Sequence, residues 1–272
     1  MTNSPIAVLG GRGKTGRRVA ARLGDLGRPV RAVSRSTPLR FDWDDQDTWA
    51  AVLDGAEAVY LVPPTEHLDM SVVGTFTARA AAAGVRRLVS LSYRGADHAG
   101  EPPEERAVRE SGIDWTILRP AWFDQNFSED IFLEPVRAGR LEFPAGEGRE
   151  AFVDADDIAD VAVAALTGPG HAGEIYEISG PEPISLRTAA SLIGRETGRE
   201  ITYTPIEPAD FTAAMTAQGY PSEVAAMVTG LLGAIAGGAG DHVSDGVQRA
   251  LGREPRSFAD YAKATAATGV WG

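Results

Sequence analysis

The sequence predicts an α/β protein in which a mostly parallel, doubly wound sheet is followed by a smaller, mainly helical region. Short β-rich runs alternate with helical patterns over the first two-thirds of the chain, as in sheets built from strand–helix–strand units. Several of these runs are almost continuously apolar, as strands buried on both faces are. From about residue 181 the pattern becomes helical. With 272 residues the chain can bury a large core without covalent staples.

Seven segments have the length and composition of β-strands. They are residues 6–9, 30–35, 39–42, 58–62, 87–92, 115–120 and, after a long interruption, 174–180. Helical patterns separate them at residues 14–26, 46–53, 69–83, 103–111 and 156–166. Asp156 is expected to cap the last of these helices.

Five further helices are predicted near the end of the chain, because each segment opens with Ser, Pro or Asp or closes with Gly. The segments are "SLRTAASLIGRETG", "PADFTAAMTAQG", "SEVAAMVTGLLGAIAGG", "DGVQRALG" and "SFADYAKATAATG". We therefore expect one domain of residues 1–123 plus 151–180, and a second of residues 124–150 plus 181–272 above the carboxyl ends of the strands. Residues 233–242 are rich in glycine and are expected to form a loop, a candidate lid.

The net charge is −12, but it is unevenly distributed. Residues 1–40 hold nine Arg and Lys against one acidic residue, a local charge of +8. An acidic body argues against a nucleic-acid partner, whereas one basic end favours a small anionic ligand. Chance clustering of surface arginines is the alternative.

Other composition features narrow the class of protein. Cysteine is absent, which removes disulfides and thiolate chemistry, and the four histidines have no metal-ligand spacing. We see no signal peptide and no apolar run of the roughly 18 residues that a membrane helix needs. The expectation is a cytoplasmic monomer or homodimer without a metal, a nucleic-acid partner or a membrane partner.

The stretch "VLGGRGKTGRRVA" contains the strongest motif. Gly10, Gly13 and Gly16 lie between the strand at 6–9 and the helix at 14–26, where glycines allow a tight turn and a close backbone approach to a pyrophosphate. Lys14 and Thr15 begin the helix, whose N-terminus attracts phosphate. The motif predicts a dinucleotide site; the alternative is a glycine-rich turn without a ligand.

Two arginines indicate which dinucleotide binds. NAD sites place an acidic residue after the second strand, but this strand ends in "VSRS", with Arg35 and no carboxylate. Arg12 could close on the same group from the glycine turn, and planar guanidinium groups bind phosphate oxygens in pairs. The sequence therefore predicts NADPH rather than NADH.

Taken together, the segments resemble the NmrA-like atypical short-chain dehydrogenase/reductases. The segments that carry the resemblance are "VLGGRGKTGRRV", "FDWDD", "LVSLSYRGAD", "SGIDWTILRPAWFDQNF", "FVDADDIADVAVAAL" and "LGREPRSFADYA", which extend over essentially the whole chain. Within that group they most resemble type 2 NADPH:quinone reductases. "GGRGKTG" and "LVPP" are also similar to reductases of ergot alkaloid pathways.

The resemblance implies further cofactor contacts. Asp42 would contact the adenine amino group, Val62 and Pro63 would pass beside the adenosine and ribose, and Pro120 would lie beside the nicotinamide ring. Ser92 would face the nicotinamide or the substrate. All lie at predicted carboxyl ends of strands, where open α/β sheets bind ligands. A helix cap is the alternative role for Asp42.

The resemblance also implies substrate residues. Trp122 and Phe123 would lie in the turn beside the nicotinamide ring, with Asn126 on the substrate side. Phe127 and Tyr93 would complete, with Trp122 and Phe123, a pocket wide enough for a flat ring. Burial in the core is the alternative for the aromatic residues.

One departure limits the chemistry. Ordinary short-chain dehydrogenases use Tyr-x-x-x-Lys to exchange a proton with the substrate oxygen, but the only lysines here are Lys14 and Lys263. Matching the family's helix puts Asp97 and Glu101 where that tyrosine and lysine would stand. The usual oxidation of alcohols is therefore not expected.

Hydride transfer to an electron-poor acceptor needs no such pair. The sequence accordingly predicts an NADPH-dependent reductase of quinones or similarly activated molecules, with Ser92 or Tyr93 as candidate catalytic proton donors and His67 or His98 as further possibilities. A tailoring reductase acting on an imine or enone, and a non-catalytic NADP(H) sensor, are the alternatives.

Overall fold

The computed structural model describes residues 4–64 and 70–272, which divide into two compact units. The sheet unit comprises Met1–Pro120, Ala155–Ile178 and Asp245–Arg253. The helical unit comprises Ala121–Asp154, Ser179–Ser244 and Glu254–Gly272. Among the described residues, no helix combines the length and the apolar character needed to cross a lipid bilayer.

The elements are numbered in chain order. The strands are β1 (Ile6–Leu9), β2 (Val30–Val33), β3 (Ala58–Leu61), β4 (Arg87–Leu91), β5 (Asp114–Pro120), β6 (Arg140–Phe143), β7 (Arg149–Glu150), β8 (Glu174–Ile178), β9 (Ile184–Ser185) and β10 (Thr202–Pro205). The helices are α1 (Lys14–Asp25), α2 (Trp49–Leu53), α3 (Ser71–Ala82), α4 (Pro103–Arg109), α5 (Asn126–Glu129), α6 (Leu133–Arg137), α7 (Ala155–Thr167), α8 (Leu186–Thr197), α9 (Pro208–Ala217), α10 (Ser222–Ala236), α11 (Gly246–Leu251) and α12 (Phe258–Ala266).

A six-stranded parallel sheet organises the sheet unit. Its strand order is β2-β1-β3-β4-β5-β8, and every neighbouring pair is parallel. The chain leaves β1 in one direction to form β2 and returns on the other side of β1 to form β3, so the order reverses between β1 and β3. Ligands of open α/β sheets bind beyond the strand ends at such a point. The sheet confirms the predicted doubly wound α/β fold class.

The strand predicted at residues 39–42 is absent, a correction to the sequence analysis. One parallel bridge, between Ser34 and Arg40, is all that pairs this segment with the end of β2. Thr37 folds the chain into a turn instead, because its hydroxyl donates to the carbonyl of Leu39 at 2.7 Å and accepts from the N–H of Ser34 at 2.8 Å. Polar bonds of this local kind compete with a strand ladder.

Helix α11 lies in the sheet unit, although the sequence analysis assigned residues 181–272 to the second domain. Gly246 explains the difference, because a Cβ atom there would lie 2.1 Å from the carbonyl oxygen of Glu177 in β8. Only glycine allows this approach of helix to strand. At the end of this segment Arg253 donates to the carboxylate of Asp157, a fully buried residue of α7, at 2.6 Å.

Helix α7 begins one residue earlier than predicted, so Asp156 lies in its first turn and is not the N-cap. Its carboxylate accepts from Arg22 of α1 at 2.7 Å. The neighbouring Asp160 accepts from the same guanidinium at 2.5 Å. These contacts hold α1, the helix that follows the glycine motif, against α7.

The helical unit has its own core, in which aromatic rings pack against one another. Phe127 packs against Phe132 at 4.6 Å between ring centroids and against Phe258 of α12 at 5.1 Å. Two small sheets accompany the helices: β6 pairs with β10 in parallel, and β7 pairs with β9 in antiparallel. Helices α8, α9, α10, α11 and α12 confirm the five helices predicted at the end of the chain.

Helix α10 extends into the segment predicted as a glycine-rich loop. It continues through Gly233 to Ala236, so the loop begins at residue 237 and not at 233. Leu232 and Ile235 are buried on the inner side of the helix, and this packing outweighs the low helix propensity of glycine. The role of the loop as a lid stays a prediction.

Candidate functional site

The predicted cofactor residues gather at one edge of the sheet. The glycine motif follows β1, Arg35 follows β2, Val62 and Pro63 follow β3, and Pro120 ends β5. Because all these strands are parallel, their carboxyl ends lie along the same edge. Within the sheet unit, the fold therefore brings together cofactor residues that are more than 100 positions apart in sequence.

The glycine motif forms a tight turn into α1. Gly10 has φ +64°, and its carbonyl accepts from the N–H of Gly13 at 2.8 Å. Gly13 is the N-cap residue and has no side chain that could cap the helix. The first helical bond runs from Arg17 to the Gly13 carbonyl at 3.2 Å, so helix geometry points the earlier N–H groups, including those of Lys14 and Thr15, out of the helix end.

Gly16 is required by close packing inside this turn. A Cβ atom at Gly16 would lie 2.3 Å from the carbonyl oxygen of Gly10 and 2.8 Å from its carbonyl carbon. Thr15 beside it is buried, so it contributes to the turn through its backbone and its packing. The first turn of α1 contains a lysine and no acidic residue. This arrangement fits a phosphate group, which needs backbone N–H donors and positive charge.

Basic and hydroxyl side chains extend the site toward the end of β2. The Arg12 guanidinium reaches across to Ser36, whose hydroxyl accepts from Nη1 at 3.1 Å. Arg12 and Arg35 are both exposed. The Ser34 hydroxyl accepts from the N–H of Ser36 at 3.3 Å and shapes this turn. The glycine turn and the β2 turn thus present cations and hydroxyls to the same region.

Asp42 lies beside this cationic region. Its carboxylate accepts from Arg40 at 2.6 Å and from the N–H of Asp44 at 3.2 Å. Burial raises the pKa of Asp42, but the Asp44 N–H together with Arg40 and Arg35 outweighs this, so the pKa lies below its usual value. Asp42 is therefore a carboxylate at neutral pH.

The segment that carries Asp42 is fixed by two tryptophans. The indole N–H of Trp49 donates to the Asp42 carbonyl at 2.7 Å, and that of Trp43 donates to the Val62 carbonyl at 3.2 Å. Trp43 thereby joins two segments that the sequence analysis assigned to adenosine binding. It was missed because its apolar ring also belongs to a cluster with Phe41 and Phe76.

Ser92 has a different environment from the one predicted. Its hydroxyl donates to Glu105 Oε1 at 2.6 Å, so in this arrangement the hydroxyl hydrogen is directed at a carboxylate. Glu105 is 1% exposed and accepts two further bonds from Arg119, at 2.9 and 2.6 Å. Asp97 accepts from the same guanidinium at 2.6 Å. In this arrangement the Ser92 hydroxyl helps to position the chain, and its role as a proton donor stays a prediction.

Tyr93 is the other candidate donor, and it is 54% exposed. Burial of part of the ring raises the pKa of Tyr93, as do the nearby charges of Glu104 and Glu105, against a smaller opposing effect of Arg119. Tyr93 therefore remains a phenol at neutral pH. In a Tyr-x-x-x-Lys pair the effect is the reverse, because the lysine lowers the phenol pKa.

Three further residues named in the sequence analysis remain: Glu101, His98 and His67. Glu101, expected at the position of the missing lysine, accepts from Arg109 at 2.6 Å and from Arg106 at 3.2 Å. His98 is exposed, and His67 is not among the described residues. Over residues 4–64 and 70–272, no three His, Asp or Glu side chains are arranged to hold a metal ion.

The predicted substrate residues belong to the helical unit. Trp122 is partly buried and stacks on Phe132 at 6.0 Å, while Phe123 pairs with Val153 through a parallel bridge. Asn126 begins α5 and is partly exposed. Phe127 is 0% exposed in the core of this unit, so it is a packing residue and not part of a substrate surface, a correction to the sequence analysis.

Comparisons with known proteins identify the family of this chain. A sequence model of a family described as NAD(P)H-binding matches residues 10–169, more than half of the chain. The uncharacterized oxidoreductase YesF of Bacillus subtilis is 34% identical over 284 residues, and the alignment covers 100% of this chain and 99% of that protein. A (4-alkanoyl-5-oxo-2,5-dihydrofuran-3-yl)methyl phosphate reductase of Streptomyces griseus is 36% identical over 277 residues and is covered to 96%, against 94% of this chain.

A solved structure shares the fold. The NADPH-dependent quinone oxidoreductase of Escherichia coli, crystallised with NADPH, superposes with a TM-score of 0.75 at 24% identity, covering 95% of this chain and 99% of that one. The predicted resemblance is confirmed for the NAD(P)H-binding family and, through solved structures that include NmrA, for the fold. The chain belongs to the NAD(P)H-binding family and is an oxidoreductase.

Proposed function

We propose that this protein is an NADPH-dependent reductase that transfers hydride to a quinone or a similarly electron-poor small molecule, without a Tyr-x-x-x-Lys relay. The observation that carries the proposal is the contact of the Arg12 guanidinium with the Ser36 hydroxyl, 3.1 Å across two turns. It brings the glycine turn beside the turn that carries Arg35, where a 2′-phosphate would lie.

The preference for NADPH follows from charge. The turn after β2 contains Ser34, Arg35 and Ser36, and so lacks the carboxylate that would accept from a ribose 2′-hydroxyl. Arg12, Arg35 and the Ser36 hydroxyl would instead bind the 2′-phosphate. A hydrogen bond to a charged group contributes about 1.5–3 kcal/mol, so one such contact supports roughly a 10- to 150-fold preference for the phosphorylated cofactor.

The other cofactor residues have side chains or backbone groups that suit the remaining parts of NADPH. The N–H groups at the start of α1 would hold the pyrophosphate, and Lys14 adds positive charge there. The Asp42 carboxylate would accept from the adenine amino group, while Val62 and Pro63 present an apolar border to the adenosine. Pro120 would support the nicotinamide ring from the end of β5.

NADPH, when bound, supplies the hydride and the two electrons of the reduction. The chain's part is to hold the reacting groups in contact and to supply a proton where the product needs one. Tyr93 is the residue we assign to that proton, since its raised pKa keeps the phenol protonated and its side chain is about half exposed. Ser92 is not assigned a chemical role, because its hydroxyl donates to Glu105.

The proposed acceptor class is supported by what the similar proteins are named for. The Streptomyces griseus relative is named for an oxo-dihydrofuran that carries an alkanoyl group, and the Escherichia coli structure for a quinone. Both names describe rings activated by carbonyl groups, which accept hydride readily. We assign the acceptor side to Trp122, Phe123 and Asn126, whose aromatic and amide groups suit a flat ring with carbonyl oxygens.

The test is cofactor consumption by the purified protein with a panel of quinones, activated enones and iminium ions. We expect NADPH oxidation with at least one acceptor, and no reduction of NADP⁺ by simple secondary alcohols. Binding of NADPH without turnover on any acceptor would contradict the reductase assignment and favour the sensor alternative. Faster turnover with NADH than with NADPH would contradict the cofactor assignment.

A further inference from the structure

We infer that Glu105 is a positioning residue for the reaction, holding Ser92 and Arg119 so that the chain carrying Tyr93 is fixed at the end of β4. The inference rests on the proposed function, which assigns Tyr93 as the proton donor. It concerns four side chains that the cofactor site does not use. We call them the Glu105 network: Ser92, Asp97, Glu105 and Arg119.

Glu105 is a buried residue whose carboxylate is held in a fixed position by its hydrogen bonds. It lies on the inner side of α4 with 1% of its surface exposed, yet both carboxylate oxygens are bonded. Oε1 accepts from the Ser92 hydroxyl at 2.6 Å and from Arg119 Nε at 2.9 Å, and Oε2 accepts from Arg119 Nη2 at 2.6 Å. Paired bonds of this kind fix the relative orientation of two groups as well as their distance.

Arg119 connects Glu105 to the segment after β4. Its Nη1 donates to Asp97 at 2.6 Å, so one guanidinium joins α4, β5 and the chain beyond β4. The backbone adds two bonds to β5, from Ser92 N–H to the Leu118 carbonyl at 2.7 Å and from Arg94 N–H to the Pro120 carbonyl at 2.9 Å. Tyr93 thus lies between two residues that are each held in place.

The Glu105 network is better explained by a role in positioning the segment that carries Tyr93 than by a contribution to folding stability. Replacing a buried ion pair with apolar residues of similar size is often neutral or stabilising, so such a pair is weak evidence of a stability role. Its location is specific, however, because it lies at the carboxyl ends of two central strands, beside Tyr93. Proton and hydride transfers are sensitive to displacements of about 1 Å, so a fixed segment has a direct catalytic benefit.

The test uses Glu105→Gln with Glu101→Gln as the matched control. Glutamine keeps the size of the side chain but turns an N–H₂ group toward the guanidinium, which breaks the paired bonds. Glu101 is also bonded to two arginines, but at the surface. Hydrogen exchange of the amides of residues 92–97 measures the positioning directly, and kcat, KM and the NADPH dissociation constant measure its consequence.

We expect Glu105→Gln to speed amide exchange of residues 92–97 by about tenfold or more, the effect of losing about 1.4 kcal/mol of local protection. The value of kcat should fall by at least about tenfold and the NADPH dissociation constant should change less than about twofold. Exchange in β1 and α1 should rise by a smaller factor than exchange at residues 92–97, because removing one partner of a buried pair also lowers global stability. Glu101→Gln should change none of these. Because Ser92→Ala removes only one bond of the network, it should give a smaller increase in exchange over the same residues and provides the measurement if Glu105→Gln does not fold.

The outcomes separate this inference from the proposed function. Unchanged exchange at residues 92–97 in both variants would overturn the positioning role, whatever the activity. An equal increase in exchange throughout the sheet unit, with parallel losses of NADPH affinity and kcat, would also overturn it, because Glu105 would then be a general stability residue. If the wild-type protein reduces no acceptor, the proposed function fails while the exchange experiment still measures the positioning by Glu105.

Discussion

Replacement of Gly16 by alanine should weaken NADPH binding by about 30-fold. The change adds one methyl group inside the turn between β1 and α1. That methyl carbon would lie 2.3 Å from the Gly10 carbonyl oxygen, 2.8 Å from the Gly10 carbonyl carbon and 3.2 Å from Gly11 Cα. The nearest atoms are backbone atoms of the same turn, so the turn itself must move.

The size of the effect follows from these distances. Ordinary contacts of a carbon atom begin near 3.4 Å, so the Gly10 backbone must shift by about 1 Å. A displacement of that size removes about one charge-assisted bond between a backbone N–H and phosphate, worth about 2 kcal/mol, or about 30-fold in the dissociation constant. Overpacking costs about 1–3 kcal/mol of folding free energy, offset by up to about 1 kcal/mol from better helix propensity.

The assay is isothermal titration calorimetry with NADPH, together with thermal denaturation of the unliganded protein. Gly24→Ala is the matched control, because Gly24 lies in the same helix and a Cβ atom there meets nothing within 4 Å. The control should bind NADPH as the wild type does and gain up to about 1 kcal/mol of stability from helix propensity. Wild-type affinity in Gly16→Ala would refute the argument that this turn holds the phosphates.

Three further predictions test other parts of the structure. Asp157→Asn removes the buried partner of Arg253, which follows α11 and keeps its bond to Asp160, and should lower the free energy of unfolding by about 2 kcal/mol in equilibrium denaturation. Asp245→Asn, at the exposed pair with Arg249, should change it by less than about 0.5 kcal/mol. Tyr93→Phe should lower kcat by about 100-fold for acceptors that need a proton and leave the NADPH dissociation constant unchanged. Because the Tyr93 pKa is raised, the wild-type rate should lose activity through Tyr93 ionisation at a higher pH than an ordinary tyrosine would cause. Arg119 lowers the pKa of Asp97, so the stability difference between the wild type and Asp97→Asn should be present above about pH 4 and disappear as the pH falls through the folded-state pKa, measured by denaturation at several pH values. A difference that grows on acidification would contradict it.

The fold was predictable where local patterns decide the structure. The sequence predicts all six strands of the parallel sheet, and several of them are the apolar runs typical of strands buried on both faces. Residues 39–42 have a similar composition, but Thr37 and Pro38 turn the chain before a ladder can form. The position of α11 could not be read from its own sequence, since it depends on the contact of Gly246 with the backbone of β8.

The candidate site likewise contains residues that local sequence patterns predict and residues that only the fold brings together. The glycines and basic residues of the opening motif are neighbours in sequence, so their spacing alone predicts a phosphate site. Glu105 was missed because its partners, Ser92 and Arg119, are brought to it by the sheet and not by spacing. A signal was present, because a lone arginine near the end of an apolar strand needs a buried partner. Phe127 was assigned to the substrate site although it is buried, because an aromatic side chain suits a core as well as a substrate site.

The most direct test of the account is calorimetric titration of the wild type and of Arg35→Ser with NADPH and with NADH, with Arg17→Ser as a control for the loss of one positive charge from the same basic region. We predict that the wild type binds NADPH at least about tenfold more tightly than NADH, and that Arg35→Ser loses most of this preference by weakening NADPH binding alone. Arg17→Ser should retain the preference. Equal affinities of the wild type for the two cofactors, or an unchanged preference in Arg35→Ser, would contradict the central claim that these turns recognise the 2′-phosphate.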